Sequence, residues 1–187
     1  MRKKFALLVG RFQPFHKGHE KIIGILLGKY GRVMIAIGSA QKKRSPENPF
    51  LANERKQMIL AVARAHAIWA GKIKIAKLND FEKNSDWVKN AKGKFAPEKF
   101  AVASANLLVR RLLKKAGYEI IASPLFARAR WQGKKIREEI RRGKMGWKKS
   151  MPKALHKWME EKGCKIIRQT SKSATADLVS IFSSRKK

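Results

Sequence analysis

The stretch Phe5-Ala6-Leu7-Leu8-Val9-Gly10-Arg11-Phe12-Gln13-Pro14-Phe15-His16-Lys17-Gly18-His19 decides the fold. Its first residues form a short buried-strand pattern that stops at Gly10, and Ile22, Ile23, Ile25, Leu26 and Leu27 follow at mostly helical spacing across 18–29. Strand, loop and helix thus follow one another directly. The unit then repeats. Residues 33–37 read as a second strand ending at Gly38-Ser39, and a polar Lys-Arg-Ser-Pro loop leads to a helix over 52–67. Further strands are expected at 73–78, 100–103 and 119–122, with a helix over 107–115. Such alternation predicts an α/β, Rossmann-like parallel sheet flanked by helices, with ligands beyond the carboxyl ends of the strands at a topological switch point. The loops after Val9 and Ile37 are therefore the first places to look for a site. After Pro124 two helices are expected, 134–142 and 152–161.

The 187 residues suit one domain, taken as 1–169, whose helical C-terminal part runs over about 134–169. A basic Ser/Lys-rich tail, 170–187, is expected to be mobile. No apolar run approaches the roughly 18 residues that would span a bilayer. The N-terminus begins like a signal peptide, but its apolar stretch ends at Gly10-Arg11 without a small-residue cleavage site, and it reads as a strand. The lone Cys164 has no disulfide or zinc partner at a suitable spacing, which fits a reducing, cytoplasmic location. The chain carries 45 basic and 13 acidic residues, a net charge of +32. That field attracts polyanions, among them nucleotides, RNA and DNA, without choosing between them.

The first loop carries the chemistry. Gly10 allows close backbone approach, Gly18 keeps the turn clear of side chains, and the helix start offers unpaired N–H groups and a positive dipole end. His16 and His19 are placed to donate ring N–H bonds to phosphate oxygens as charge shifts toward a leaving pyrophosphate. A zinc site is set aside, since three-residue spacing without a Glu or Cys in place gives too few ligands. No metal ligation by protein side chains is expected. His66 and His156 fall within expected helices and read as structural or exposed.

Gly10-Arg11-Phe12-Gln13-Pro14-Phe15-His16-Lys17-Gly18-His19 resembles the signature loop of the H-x-G-H nucleotidyltransferase superfamily, and its Arg-Phe-Gln-Pro version resembles the archaeal-type nicotinamide-nucleotide adenylyltransferases. Gly38-Ser39-Ala40-Gln41, Asn48-Pro49-Phe50, Glu54-Arg55, Asp80, Asn84, Trp87-Val88, Asn106, Pro124-Leu125-Phe126, Arg128, Arg130 and Ile136-Arg137 follow in that family's order, so the resemblance spans about 5–169. It implies that ATP and nicotinamide mononucleotide react, with magnesium accompanying ATP, to give NAD and pyrophosphate. His16, His19, Arg11 and Arg137 would be catalytic. Gly10, Arg11, Phe12, His16, Gly18, His19, Lys134, Ile136 and Arg137 would bind ATP. Gly38, Ser39, Asp80, Asn84, Trp87 and Asn106 would bind the nicotinamide nucleotide, with Trp87 stacking on its ring and Asp80, Asn84 and Trp87 in one loop. A homo-oligomer is implied as well.

Departures from the family pattern cluster around the phosphates. Gln132-Gly133-Lys134-Lys135 replaces a Ser-Gly-Thr pattern, removing two hydroxyl donors, and Lys134 offers a charge in exchange. Glu47 stands at a usually basic position, where it would oppose a triphosphate unless Lys42, Lys43 and Arg44 offset it. Ala105 and Ala129 replace a glycine and an aspartate. Residues 128–149 hold ten basic and two acidic residues, interleaved with Trp131 and Trp147. Such a stretch suits either a triphosphate clamp or single-stranded RNA, with the tryptophans as stacking faces. The alternatives to the leading reading are thus another superfamily member, with a pantetheine-phosphate or flavin-nucleotide acceptor, and a basic RNA-binding protein on a decayed enzyme scaffold.

Overall fold

The computed structural model describes residues 5–122 and 131–171. Residues 1–4, the stretch with Pro124-Leu125-Phe126, Arg128, Ala129 and Arg130, and the tail from 172 lie outside the described residues. Five parallel strands form one sheet: β1 (Phe5–Gly10), β2 (Val33–Ile37), β3 (Ile73–Lys77), β4 (Phe100–Ala103) and β5 (Glu119–Ile120). Their spatial order is β3-β2-β1-β4-β5. The chain steps outward from β1 to β3 and then crosses back to the other side of β1. The crossing leaves a crevice at the carboxyl ends of β1 and β4, the switch point at which such sheets bind ligands.

Alternation along the strands feeds two cores. Ala6 and Leu8 of β1, with Ile35 and Ile37 of β2, pack under α1 (Lys17–Tyr30) and α2 (Ala52–Ala65). Leu7, Val9 and Ala36 face the opposite side, under α3 (Asn84–Lys94) and α4 (Leu107–Lys115). A sheet buried on both faces needs continuous apolar strands, and Ala-Leu-Leu-Val and Val-Met-Ile-Ala-Ile supply them. Each fully buried Leu or Ile contributes roughly 1.5–3 kcal/mol.

α3 was not expected as a helix. Asn84, Trp87 and Val88, read as loop residues, lie on it. Trp87, Ala91 and Phe95 face the core at four-residue intervals, with Val88 half-buried beside them, and lysines and asparagines fill the rest, so the amphipathic signal is thin. The expected strand over 119–122 is paired only across Glu119–Ile120, with Ile121 adding one bond to the Val102 carbonyl (2.8 Å).

The C-terminal part packs on the first core. α5 (Gly133–Arg141) is followed by a short unexpected helix, α6 (Trp147–Ser150). The single helix expected over 152–161 is instead a 3-10 turn at Lys153–Leu155, an α turn at His156–Trp158 and a π-helical stretch at Met159–Gly163, continuing as α-helix over 164–171. Thr170 and Ser171, expected to begin the tail, still belong to this helix and bond back to its carbonyls. Trp147 is 2% exposed and meets the His156 ring edge-on, so it is a core side chain and not a stacking face for RNA. His66 is held by Glu20 (2.8 Å) and stacked on Trp69, a structural position. No described helix is long and apolar enough to cross a membrane.

Candidate active site

The loop between β1 and α1 is braced from every side. Gln13 donates through Nε2 to the Phe50 carbonyl (2.7 Å) and accepts from the Phe50 amide (3.0 Å), tying the loop to the segment before α2. Its backbone carbonyl accepts from Arg137 Nη1 of α5 (2.7 Å). Gly133 passes so close that an added Cβ would lie 2.5 Å from that same carbonyl. The Arg55 guanidinium, 1% exposed, donates to the carbonyls of Arg11 (2.9 Å), Gly38 (2.7 Å) and Ser39 (3.0 Å).

Within this frame the two imidazoles stack, with ring centroids 3.7 Å apart. The His16 amide donates to His19 Nδ1 (3.2 Å). A backbone N–H can only donate, so His19 Nδ1 carries a lone pair and the neutral ring holds its proton on Nε2. Phe12 and Phe15 pack against the His19 ring at 4.7 and 5.3 Å. Burial lowers the His16 pKa to about 4; burial, and then the neighbouring His16, hold His19 well below the ordinary value. Both rings are therefore neutral donors at pH 7.

The depressed pKa links folding to pH. The unfolded chain binds a proton at His16 near pH 6.5 and the folded chain only near 4, so folding stability is full above about 6.5 and falls as the pH drops toward 4, by at most roughly 3 kcal/mol. Thermal melts of the nucleotide-free protein should show this decline, and His16→Gln should make it shallower by removing the share of His16 while that of His19 remains. An unchanged profile in the variant would refute the assignment.

A cleft of about 660 Å³ opens above these residues. Gly10, Arg11, Phe12, His16, Gly18 and His19 line it from the first loop. Lys134 and Arg137 reach it from α5, and Gly38, Ser39, Asp80, Trp87 and Asn106 line its other parts. Two expected residues stand apart. Asn84 begins α3 without lining the cleft. The Ile136 side chain lies in the first core, 1% exposed, and its amide bonds to the Gln132 carbonyl. Asn106 Oδ1 accepts from the Leu108 and Val109 amides as the cap of α4, which fixes the side chain at the edge of the cleft it lines. Trp87, 8% exposed, packs in the second core and lines the cleft as well.

Electrostatics set the character of the cleft. Burial, then the like charges of Arg141 and Arg11, lower the Arg137 pKa to about 10, so it stays a cation. Glu47 acts on Arg137 in the opposite sense. Two of the basic residues expected to offset Glu47 have other partners: Lys42 pairs with Asp80 (3.4 Å) and Arg44 binds Glu54 with both terminal nitrogens. Gln132, read in the sequence as part of the phosphate motif, lines the cleft, while sequence reasoning missed Ser104 as a lining residue, Trp131 as a wall of the cleft and Gly133 as a contact surface. Among the described residues no three His, Cys, Asp or Glu side chains cluster to hold a metal.

A parallel sheet with an H-x-G-H loop at its switch point, neutral imidazoles and two arginines facing the cleft defines a nucleotidyltransferase. The sequence model of the Cytidylyltransferase-like family matches residues 7–142. The nicotinamide-nucleotide adenylyltransferase of Thermoplasma volcanium is 36% identical over 167 residues, covering 89% of this chain and 92% of that protein. That of Ignicoccus hospitalis is 35% identical over 175 residues, covering 92% and 99%. The chain belongs to the cytidylyltransferase-like family, and within it to the group of the nicotinamide-nucleotide adenylyltransferases. A bifunctional NMN adenylyltransferase/ADP ribose pyrophosphatase from Francisella tularensis, complexed with AMP and a manganese ion, has the same fold, with a TM-score of 0.70 and 21% identity over 93% of this chain and 54% of that one.

Proposed function

We propose that the chain joins nicotinamide mononucleotide to the AMP of ATP, releasing pyrophosphate. The observation that carries this reading is the neutral, stacked His16–His19 pair at the start of α1, beside Arg11 and Arg137. A phosphate oxygen of the mononucleotide attacks the α-phosphorus in line, one P–O bond forms, and the bond to the β-phosphate bridging oxygen breaks. The leaving pyrophosphate takes the electron pair. Its growing charge meets the His19 Nε2–H and the two guanidinium groups, fixed donors that need no reorganisation as charge develops. No covalent enzyme intermediate is required.

On this reading Trp87 and Asp80, which line the cleft, bind the acceptor nucleotide, and Lys134 replaces a hydroxyl donor with charge. Asp80, the only acidic residue among the described ones that line the cleft, is paired with Lys42, so the divalent cation belongs with the triphosphate that brings it. There it neutralises phosphate charge; magnesium is the ion proposed. A cytoplasmic location and a homo-oligomeric state go with this reading, the latter to be read by sedimentation. The net charge of +32 supports weak, salt-sensitive nucleic-acid binding as a separate property.

The test is incubation with magnesium, ATP and nicotinamide mononucleotide, following NAD and pyrophosphate. Equimolar appearance of both is expected. ATP binding without NAD would overturn the acceptor assignment, and NAD replaced by another adenylylated product would redirect it.

A further inference from the structure

We infer that Arg55 is a positioning residue that locks the two substrate loops to each other, an inference that rests on the adenylyl-transfer reading. Arg55 sits in the first turn of α2, away from the reacting atoms, yet its guanidinium reaches three backbone carbonyls at the ends of two adjacent strands. Arg11 belongs to the loop that carries His16 and His19. Gly38 and Ser39 belong to the loop after β2, on the acceptor side of the cleft. A direct bond, Gly38 amide to Gly10 carbonyl (2.8 Å), joins the same two loops, so the cation closes a ring of contacts around the cleft floor.

Backbone conformation explains why a clamp is needed. Phe12 and Ser39, one on each loop, have φ of 53° and 51°, in the left-handed region that side chains other than glycine's disfavour. Each conformation persists only where its neighbours over-determine it, and the carbonyls that Arg55 holds include those of Ser39 itself and of the residue before each of Phe12 and Ser39. Burial, then the charge of Arg11, lower the Arg55 pKa to about 10, and it remains charged at neutral pH. A buried charge is costly to keep unless it is well bonded, and here its bonds go to loops and not to a carboxylate.

The experiment compares wild type, Arg55→Lys and Arg55→Met in the full chain. Steady-state kinetics give kcat and the KM of each nucleotide, calorimetry gives ATP affinity without turnover, and ¹⁵N-histidine spectra report the His19 tautomer. Loss of the clamp displaces both loops, so Arg55→Met should raise both KM values and lower kcat/KM about 100-fold, the scale of an ångström-sized misplacement. Its His19 signal should lose the Nε2–H signature, and Arg55→Lys should recover part of each loss. A residue that merely held the fold would lower the melting temperature while the folded fraction kept wild-type kinetics and histidine spectra; that result in either variant would overturn the inference. Should Arg55→Met fail to fold, Arg55→Lys decides by the same readouts. If wild type made no NAD, the functional reading would fall, and calorimetry with the spectra would still judge the clamp.

Discussion

Replacing His19 with alanine is expected to lower kcat about 100- to 1,000-fold, the usual effect of removing one fixed donor to a charge that develops in the transition state. The ring's Nδ1 is occupied by the His16 amide, so Nε2–H is the group left to meet the leaving phosphate. Alanine also empties the space beside Phe12 and Phe15 and leaves the His16 amide to water, a loss of about 1 kcal/mol in stability. His19→Asn separates the two effects. Its side-chain oxygen can still accept from the His16 amide, while no donor extends as far as the imidazole's Nε2. Near-native melting with a rate as low as that of alanine is the expected pattern. An asparagine variant with a wild-type rate would remove the imidazole from the mechanism.

Gly133→Ala should be the most damaging of the small substitutions, although Gly133 makes no side-chain contact of its own. A Cβ there would lie 2.5 Å from the Gln13 carbonyl oxygen and 3.1 Å from its carbon. Neither atom belongs to a flexible side chain, so α5 must move away from the loop. Arg137 rides on α5 and bonds that same carbonyl, so its guanidinium moves with the helix. Overpacking of this kind costs about 1–3 kcal/mol in stability. Displacing a phosphate-facing cation by about an ångström should reduce kcat/KM on the order of 100-fold. Gly28→Ala is the control: nothing lies within 4 Å of a Cβ built in that exposed helical position. It should leave kinetics unchanged and raise stability by roughly 0.5–1 kcal/mol. Wild-type kinetics in Gly133→Ala would mean that α5 need not sit against the loop.

The elements with strong periodic signals are legible in the order of the amino acids. The run from β1 into α1, the repeat of strand and helix through α2, and the spans of β4 and α4 follow from apolar spacing and glycine stops. α3 is not legible in this way, because a few core-facing residues among lysines give a faint stripe, and its tertiary packing in one core with Leu78, Leu113 and Tyr118 decides the matter. Trp147 misleads for a related reason. A tryptophan among basic residues looks like a surface platform, and only the packing of α6 on the first core buries it.

Arg55 does leave a trace in the chain. Ala52, Arg55, Met58, Ile59 and Val62 share the buried face of α2, and a lone arginine on an otherwise apolar stripe is the pattern of a buried, bonded charge. Its partners are backbone carbonyls distant in sequence, to which no residue type points. The same holds for Gly133, whose smallness is required by a carbonyl 120 positions away, and for Lys42 and Arg44, which pair with Asp80 and Glu54. Local patterns and the His16–His19 loop thus settle the class of fold and the place of the site, because strand–loop–helix geometry and an exposed helix start arise from neighbouring residues alone. Which cations face the cleft, which are bonded elsewhere, and how the two loops are locked depend on contacts between segments far apart in the chain, and those exist only once the sheet has brought the segments together.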